Sequence, residues 1–185
     1  MMVKVCGITR REDAIVAAEA GADAIGFIFY KGSPRYVAPE RASKLGDGLA
    51  LWKVGVFVDA VAKDIEDAMR IARLDIAQIY GGETPENTRV WRAIRVTGAA
   101  PPAADPCEAM FLDGAGNGIS FSWEMARGAA EKVIIAGGLD ASNVAEAIRV
   151  ARPWGVDASS RIETSPGVKD HAKVRQFIEA ARQTA

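Results

Sequence analysis

The sequence predicts an α/β chain folded as one compact (β/α)8 barrel of the TIM type, with helices four and five shortened or missing and residues 1–185 forming a single domain. Three observations carry this prediction. Strand-like and helix-like stretches alternate along the whole chain, which is the pattern of parallel βα units. The strand-like runs number eight, the count of a closed barrel. The length of 185 residues falls below the roughly 250 usual for such a barrel, and the helical pattern thins in the middle of the chain, where the missing length belongs. An open doubly wound sheet is the competing architecture, but five or six strands would leave the remaining runs unexplained.

The first strand, at residues 3–7, sets the organisation. Side chains alternate across a strand, so Val3 and Val5 face one side while Lys4 and Cys6 face the other. The apolar side suits packing against helices. A lysine and a thiol together suit an interior that reaches solvent at one end. Thr9 is a candidate cap for a helix over residues 11–20, which Gly21 ends. Strand two spans 23–29, and the loop at 30–37 carries Ser33, Pro34, Arg35 and Tyr36 before Pro39 opens a helix to about residue 45. Strand three is 53–58. The helix at 60–72 has apolar residues at 61, 65, 68, 69 and 72, and strand four, 75–79, stops at Gly81 and Gly82.

Only residues 84–87 are available for a helix before strand five at 90–96, and 97–105 are rich in alanine and proline. Strand six is 109–113, followed by a glycine-rich loop at 114–118 and a short helix at 123–130. Strand seven at 132–136, a helix at 141–150, strand eight at 155–159 and a last helix at 169–182 complete the count.

Composition narrows the function classes. Hydrophobic residues make up 49% and charged residues 25%, ordinary for a globular protein, and the net charge of −1 lacks the basic block that nucleic acid or an anionic membrane would favour. No apolar run approaches the length of a membrane span or a signal peptide, so a cytoplasmic location is expected. The two cysteines, Cys6 and Cys107, give neither a disulfide framework nor zinc spacing. With His171 the one histidine, acid–base chemistry falls to carboxylates, a thiol or lysines. Cys107 and His171 are read as incidental.

Two stretches near the C-terminus suit an anion. After strand seven, Gly137 and Gly138 let the backbone approach a ligand closely. After strand eight come Ser159, Ser160 and Arg161. Barrels of this type bind phosphate in these two loops through backbone N–H groups. A glycine pair alone reads equally as a tight turn; the serine-rich turn one unit later favours phosphate.

The chain resembles the phosphoribosylanthranilate isomerase family of tryptophan biosynthesis. The resemblance is carried in order by residues 4–9 (KVCGIT), 21–29 (GADAIGFIF), 33–37 (SPRYV), 54–58 (VGVFV), 111–113 (FLD), 136–139 (AGGL) and 155–160 (GVDASS), then by Ile162, Glu163 and 166–170 (PGVKD). It implies an Amadori rearrangement of an N-linked phosphoribosyl aminoaldose to the aminoketose, with no metal or organic cofactor. It implies Cys6 as general base, Asp113 as general acid, Arg35 on the anthranilate carboxylate, and the loops with Gly137, Gly138, Ser159 and Ser160 on the phosphate, to which Arg161 either adds a contact or points to solvent.

The residues suit that chemistry. Asp113 in a desolvated pocket stays partly protonated. Cys6 needs positive charge to become thiolate, and Lys4 on the same strand face is its expected source. Each has a structural alternative: an inert buried thiol for Cys6, a loop-orienting role for Asp113, a surface ion pair for Arg35. Asp157 and Gln78 are expected to line the site, with Lys4, as substrate contacts or orienting groups; Tyr80 shares the Gln78 face.

The chain departs from the family at three places. Tyr80 stands where the family usually has histidine, which touches pocket shape. The loop at 116–123 lacks the family's lysine and second glycine pair, and Arg161 replaces a frequent glycine. Strand surface left by the thin helices calls for cover by the proline-rich stretch or a second subunit, so a homodimer or an unusually marginal monomer is expected. Two other readings stay open: an isomerase of another phosphorylated aminoaldose, and a non-catalytic phosphometabolite-binding paralogue.

Overall fold

Eight parallel strands close into a barrel in chain order in the computed structural model, which describes residues 1–96, 107–114 and 122–184. They are β1 (Met2–Cys6), β2 (Ala24–Ile28), β3 (Trp52–Val58), β4 (Ile76–Tyr80), β5 (Val90–Val96), β6 (Ala109–Gly114), β7 (Val133–Ala136) and β8 (Gly155–Ala158). Closure is made where β1 lies between β2 and β8, with Lys4 level with Ala24 on one side and Asp157 on the other.

The helices are α1 (Arg11–Glu19), α2 (Pro39–Gly46), α3 (Ala62–Ala72), α4 (Val144–Ala151) and α5 (His171–Thr184). The last two show why they form. On α5, Val174, Phe177, Ile178 and Ala181 fall at i, i+3, i+4 and i+7 and are all buried; on α4, Val144, Ala147, Ile148 and Ala151 repeat the spacing. Burying a side chain such as Phe177 contributes roughly 1.5–3 kcal/mol, so each helix is held by its inner stripe. Residues 81–89 join β4 to β5 without a helix, as the thin pattern there predicts. The proline-rich stretch at 97–105 and most of the loop after β6 lie outside the described residues.

Several predicted boundaries are corrected. The short helix at 123–130 is a 3-10 turn, Trp123–Ala126. The helix after β7 begins at Val144, because Asp140 and Asn143 spend the preceding turn on each other: Asp140 N donates to Asn143 Oδ1 at 2.9 Å. The last helix begins at His171, because Val168–Lys169 (β10) pairs antiparallel with Glu163–Ser165 (β9) in a small hairpin that the sequence reading missed. Thr9 caps nothing. Arg10 is the N-cap of α1 without a side-chain bond, and the Thr9 hydroxyl donates instead to the Gly167 carbonyl, tying the first loop to this hairpin.

Strand alternation sorts the apolar residues into an outer layer under the helices and an inner layer within the barrel. Outward-facing Val3, Val5, Ile25, Phe27, Ile135 and Val156 pack against the helices. Inside, Met2, Ala24, Val54, Ile76, Trp91, Phe111 and Ile134 fill the barrel, and Trp52 and Trp154 pack against them. The three indoles close the N-terminal end, with ring centroids 6.0–6.4 Å apart. Arg89 lies over Trp52 and Lys132 over Trp154. The other end is open.

Candidate active site

The C-terminal ends of the strands surround a cavity of about 770 Å³, large enough for a small organic ligand. Cys6, at the end of β1, and Asp113, near the end of β6, both line it. So do Arg35 from the loop after β2, Gln78 and Tyr80 from β4, Asp157 from β8, and Gly137, Gly138, Ser159, Ser160 and Arg161 from the last two loops.

Lys4 sits differently. It is fully buried beneath this wall, with Nζ 2.8 Å from Asp157 Oδ1 and 5.1 Å from the centre of the Phe111 ring. Space for Lys4 and Cys6 comes from Gly26 on the neighbouring strand: a Cβ there would meet Cys6 Sγ at 2.7 Å and Lys4 Nζ at 3.2 Å. Burial works to lower the Lys4 pKa, but the charges of Asp157 and Cys6 outweigh it, and the ammonium is held above its ordinary range. Burial also pushes the Cys6 thiol up, and Lys4 offsets this only in part. Lys4 thus acts on the thiol in the expected direction, while burial and the negative charge of Asp157 act against it.

Burial raises the pKa of Asp113, against the Tyr80 hydroxyl and the charges of Arg95 and Lys4. Tyr80 Oη donates to Asp113 Oδ2 at 2.9 Å and accepts from Gln78 Nε2 at 3.1 Å.

Arg35 is neither solvated nor on a surface carboxylate. Its Nε and Nη2 grip Glu163 at 2.9 and 2.7 Å, and Lys169 Nζ holds the same carboxylate at 2.7 Å. Burial works to raise the Glu163 pKa, but Arg35 and Lys169 together keep it below the usual carboxylate range. Nη1 of Arg35 makes no hydrogen bond among the described residues, so one edge of the guanidinium is left for a ligand.

In the anion loops, Gly137 has φ +91°, and a Cβ would stand 2.4 Å from the Gly114 nitrogen, so only glycine lets these two loops touch. Ser159 Oγ donates to the Cys6 carbonyl at 3.1 Å, joining the last loop to the first strand. Arg161 is half exposed and pairs through Nε with Asp140 Oδ2 at 2.6 Å. With Arg35 and Arg95 it makes three arginines around the cavity, a field suited to an anionic ligand.

Three participants escaped the sequence reading. Arg95 lies on the inward face of β5, two positions beyond Ala93, and strand alternation would have found it. Glu163 and Lys169 stand on the unpredicted hairpin; a buried acid and base flanking a Pro-Gly turn was the available signal.

The sequence model of N-(5'phosphoribosyl)anthranilate (PRA) isomerase matches residues 3–180. The chain is 47% identical to the N-(5'-phosphoribosyl)anthranilate isomerase of Solibacter usitatus, with 98% of each covered. Among solved structures, the phosphoribosyl anthranilate isomerase of Thermus thermophilus superposes with a TM-score of 0.91 at 36% identity over 100% of both chains. A phosphoribosyl anthranilate isomerase in complex with reduced 1-(o-carboxyphenylamino)-1-deoxyribulose 5-phosphate matches at 0.85 and 34% identity over 99% of both.

Proposed function

The chain belongs to the N-(5'-phosphoribosyl)anthranilate isomerase family, and on that premise we propose that Cys6 and Asp113 carry out its Amadori rearrangement across one cavity. The single observation that supports this assignment is that the thiol of β1 and the carboxyl of β6 open into the same space.

Asp113 gives its proton to the ribose ring oxygen. The bond from that oxygen to C1′ breaks, and the anthranilate nitrogen lone pair closes a C1′=N Schiff base. Cys6 as thiolate then takes the C2′ proton, and the electrons left behind neutralise the iminium to give an enolamine, which tautomerises to the ketone. Burial raises the thiol and so favours the protonated sulfur. The reactive form has the proton on Asp113 and the charge on Cys6, beside the Lys4 ammonium. Arg35 takes the anthranilate carboxylate. Backbone of the Gly137–Gly138 and Ser159–Ser160 turns takes the phosphate, with Arg161 beside it.

The product feeds tryptophan biosynthesis, and the reading places the enzyme in the cytoplasm; no helix among the described residues is long and apolar enough to cross a membrane. The same reading includes a homodimer built on the helix-poor side of the barrel, where Ile94 of β5 stays half-buried. Light scattering of the purified protein at twice the monomer mass is its expected result, and a monodisperse monomer contradicts it. For the activity, the gene is expected to rescue a tryptophan auxotroph lacking this isomerase, and the Cys6→Ala and Asp113→Asn variants to fail. Rescue by both variants would remove the assignment.

A further inference from the structure

We infer that Tyr80 is a positioning residue for proton delivery: backed by Gln78, it occupies one oxygen of Asp113 and so confines the acidic proton to the other. The inference rests on Asp113 being the general acid.

The relay runs in one direction. Gln78 Nε2 is an amide donor and can only donate, so Tyr80 Oη accepts from it at 3.1 Å. The phenolic proton is then free to go to Asp113 Oδ2 at 2.9 Å. An oxygen that already accepts a hydrogen bond is the poorer site for an acidic proton. Oδ1 has no hydrogen-bond partner among the described residues, and Asp113 lines the cavity, so Oδ1 is where the proton is held and released. Burial keeps Tyr80 a phenol, well above its ordinary pKa, so the donor does not switch off in the working pH range. Position 80 is where the family resemblance leads one to expect histidine, and here a neutral phenol donates to Asp113.

The far end of the relay points to the substrate. Gln78 is 1% exposed, and its Oε1 is buried with no partner among the described residues while the residue lines the cavity. A buried amide oxygen without a donor is costly. A hydroxyl of the ribose chain is a donor of the right chemistry to satisfy it. Substrate binding would then lock the Gln78 amide, and through it Tyr80, in the orientation that presents the acid.

Other charges face Asp113 as well. Lys4 approaches from β1, where Cys6 lines the same cavity, Arg95 from the adjoining position on β5 with its guanidinium 5.7 Å from the Tyr80 ring centre, and Asp157 from β8. On β7 the level residue is Ala136, which carries no charge. None of these groups donates a hydrogen bond to Asp113, so removing the Tyr80 hydroxyl has a signature of its own.

The test is the pH profile of kcat for Tyr80→Phe. The hydroxyl favours the Asp113 carboxylate, so its loss raises the pKa of Asp113. In a bell set by Asp113 and Cys6 the acid limb follows the lower of the two titrations. The expected result is an acid limb moved up by about one pH unit, with kcat at the optimum lowered by the lost placement of the proton, where the larger protonated fraction of Asp113 alone would raise it about tenfold, and KM little changed. Tyr80→His is expected to restore most of kcat. A limb that does not move overturns the inference, whether or not kcat falls. Should Tyr80→Phe not fold, Gln78→Leu decides: it is expected to raise KM and shift the same limb in the same direction, and an unmoved limb overturns the relay. Asp113→Asn, assayed alongside, separates the two layers. If it retains activity, the general-acid reading fails; if it is inactive while Tyr80→Phe behaves as wild type, only the relay fails.

Discussion

The two ends of this barrel are built from the same alternation of side chains and come to opposite results. At the N-terminal end the inward positions hold Trp52 and Trp91, with Trp154 just ahead of β8, and the three indoles shut the barrel. At the C-terminal end the inward positions hold Cys6, Gln78, Tyr80, Asp113 and Asp157 around an open cavity. One end gains stability from apolar burial. The other holds buried ionisable groups that cost stability and, in the proposed mechanism, supply reactivity. The fold separates them by the height of the strands, so substitutions at each end are expected to divide cleanly between activity and stability.

The largest effect is expected at the open end. Cys6→Ala and Asp113→Asn each remove one partner of the proton transfer and should lower kcat by about 10²–10⁴-fold, with melting temperature held or raised. A loss of activity that merely tracked unfolding would erase the division between the ends. The mirror experiment is Trp91→Ala. Trp91 is fully buried at the shut end, and its truncation should cost about 3–5 kcal/mol, read by denaturant melts. At temperatures where the variant is folded, kcat and KM should match wild type.

Lys4 sits between the two ends and sharpens the boundary. Its charge opposes the burial that raises the Cys6 thiol. In Lys4→Met the thiol should titrate higher, and alkylation of Cys6 at neutral pH should slow by about tenfold, the equivalent of one pKa unit, with the rates converging at high pH. An unchanged alkylation profile would leave Lys4 a purely structural partner of Asp157.

The smallest effect is a matter of sign. Asp113 has its pKa raised in the folded state, so the fold favours its neutral form. That contribution is fully present below the ordinary carboxylate pKa and is lost as pH rises through the folded value. Asp113→Asn should therefore melt alongside wild type near about pH 3 and above it at neutral pH. A difference that stayed constant with pH would mean that the charge of Asp113 is not penalised by folding.

The sequence was informative wherever function follows from strand alternation. Lys4 and Cys6 share a face, Asp113 ends β6, and Gly137 and Ser159 follow the last two strands, all legible from period and position. Helix-poor residues 81–89 were legible too, since no helical pattern exists there to bury. What was not legible depends on long-range pairing. Glu163 and Arg35 are 128 positions apart, and nothing in either local stretch announces their bond. The hairpin carrying Glu163 is formed by β9 and β10, strands of three and two residues, too short for a periodic signal. Thr9 read as a cap by local rules, and a tertiary contact to Gly167 won instead. The influence of Lys4 on Cys6 was legible on the strand, but the opposing charge of Asp157 was not, because Asp157 lies 153 residues away from Lys4.

The most direct test of the account is a crystal structure of this chain with reduced 1-(o-carboxyphenylamino)-1-deoxyribulose 5-phosphate. Cys6 Sγ is expected within about 3.5 Å of C2′, and Asp113 on the opposite side of the sugar, reaching the oxygen released from the ring. A ligand bound with C2′ turned away from the sulfur, or with both groups on one side of the chain, would contradict the assignment.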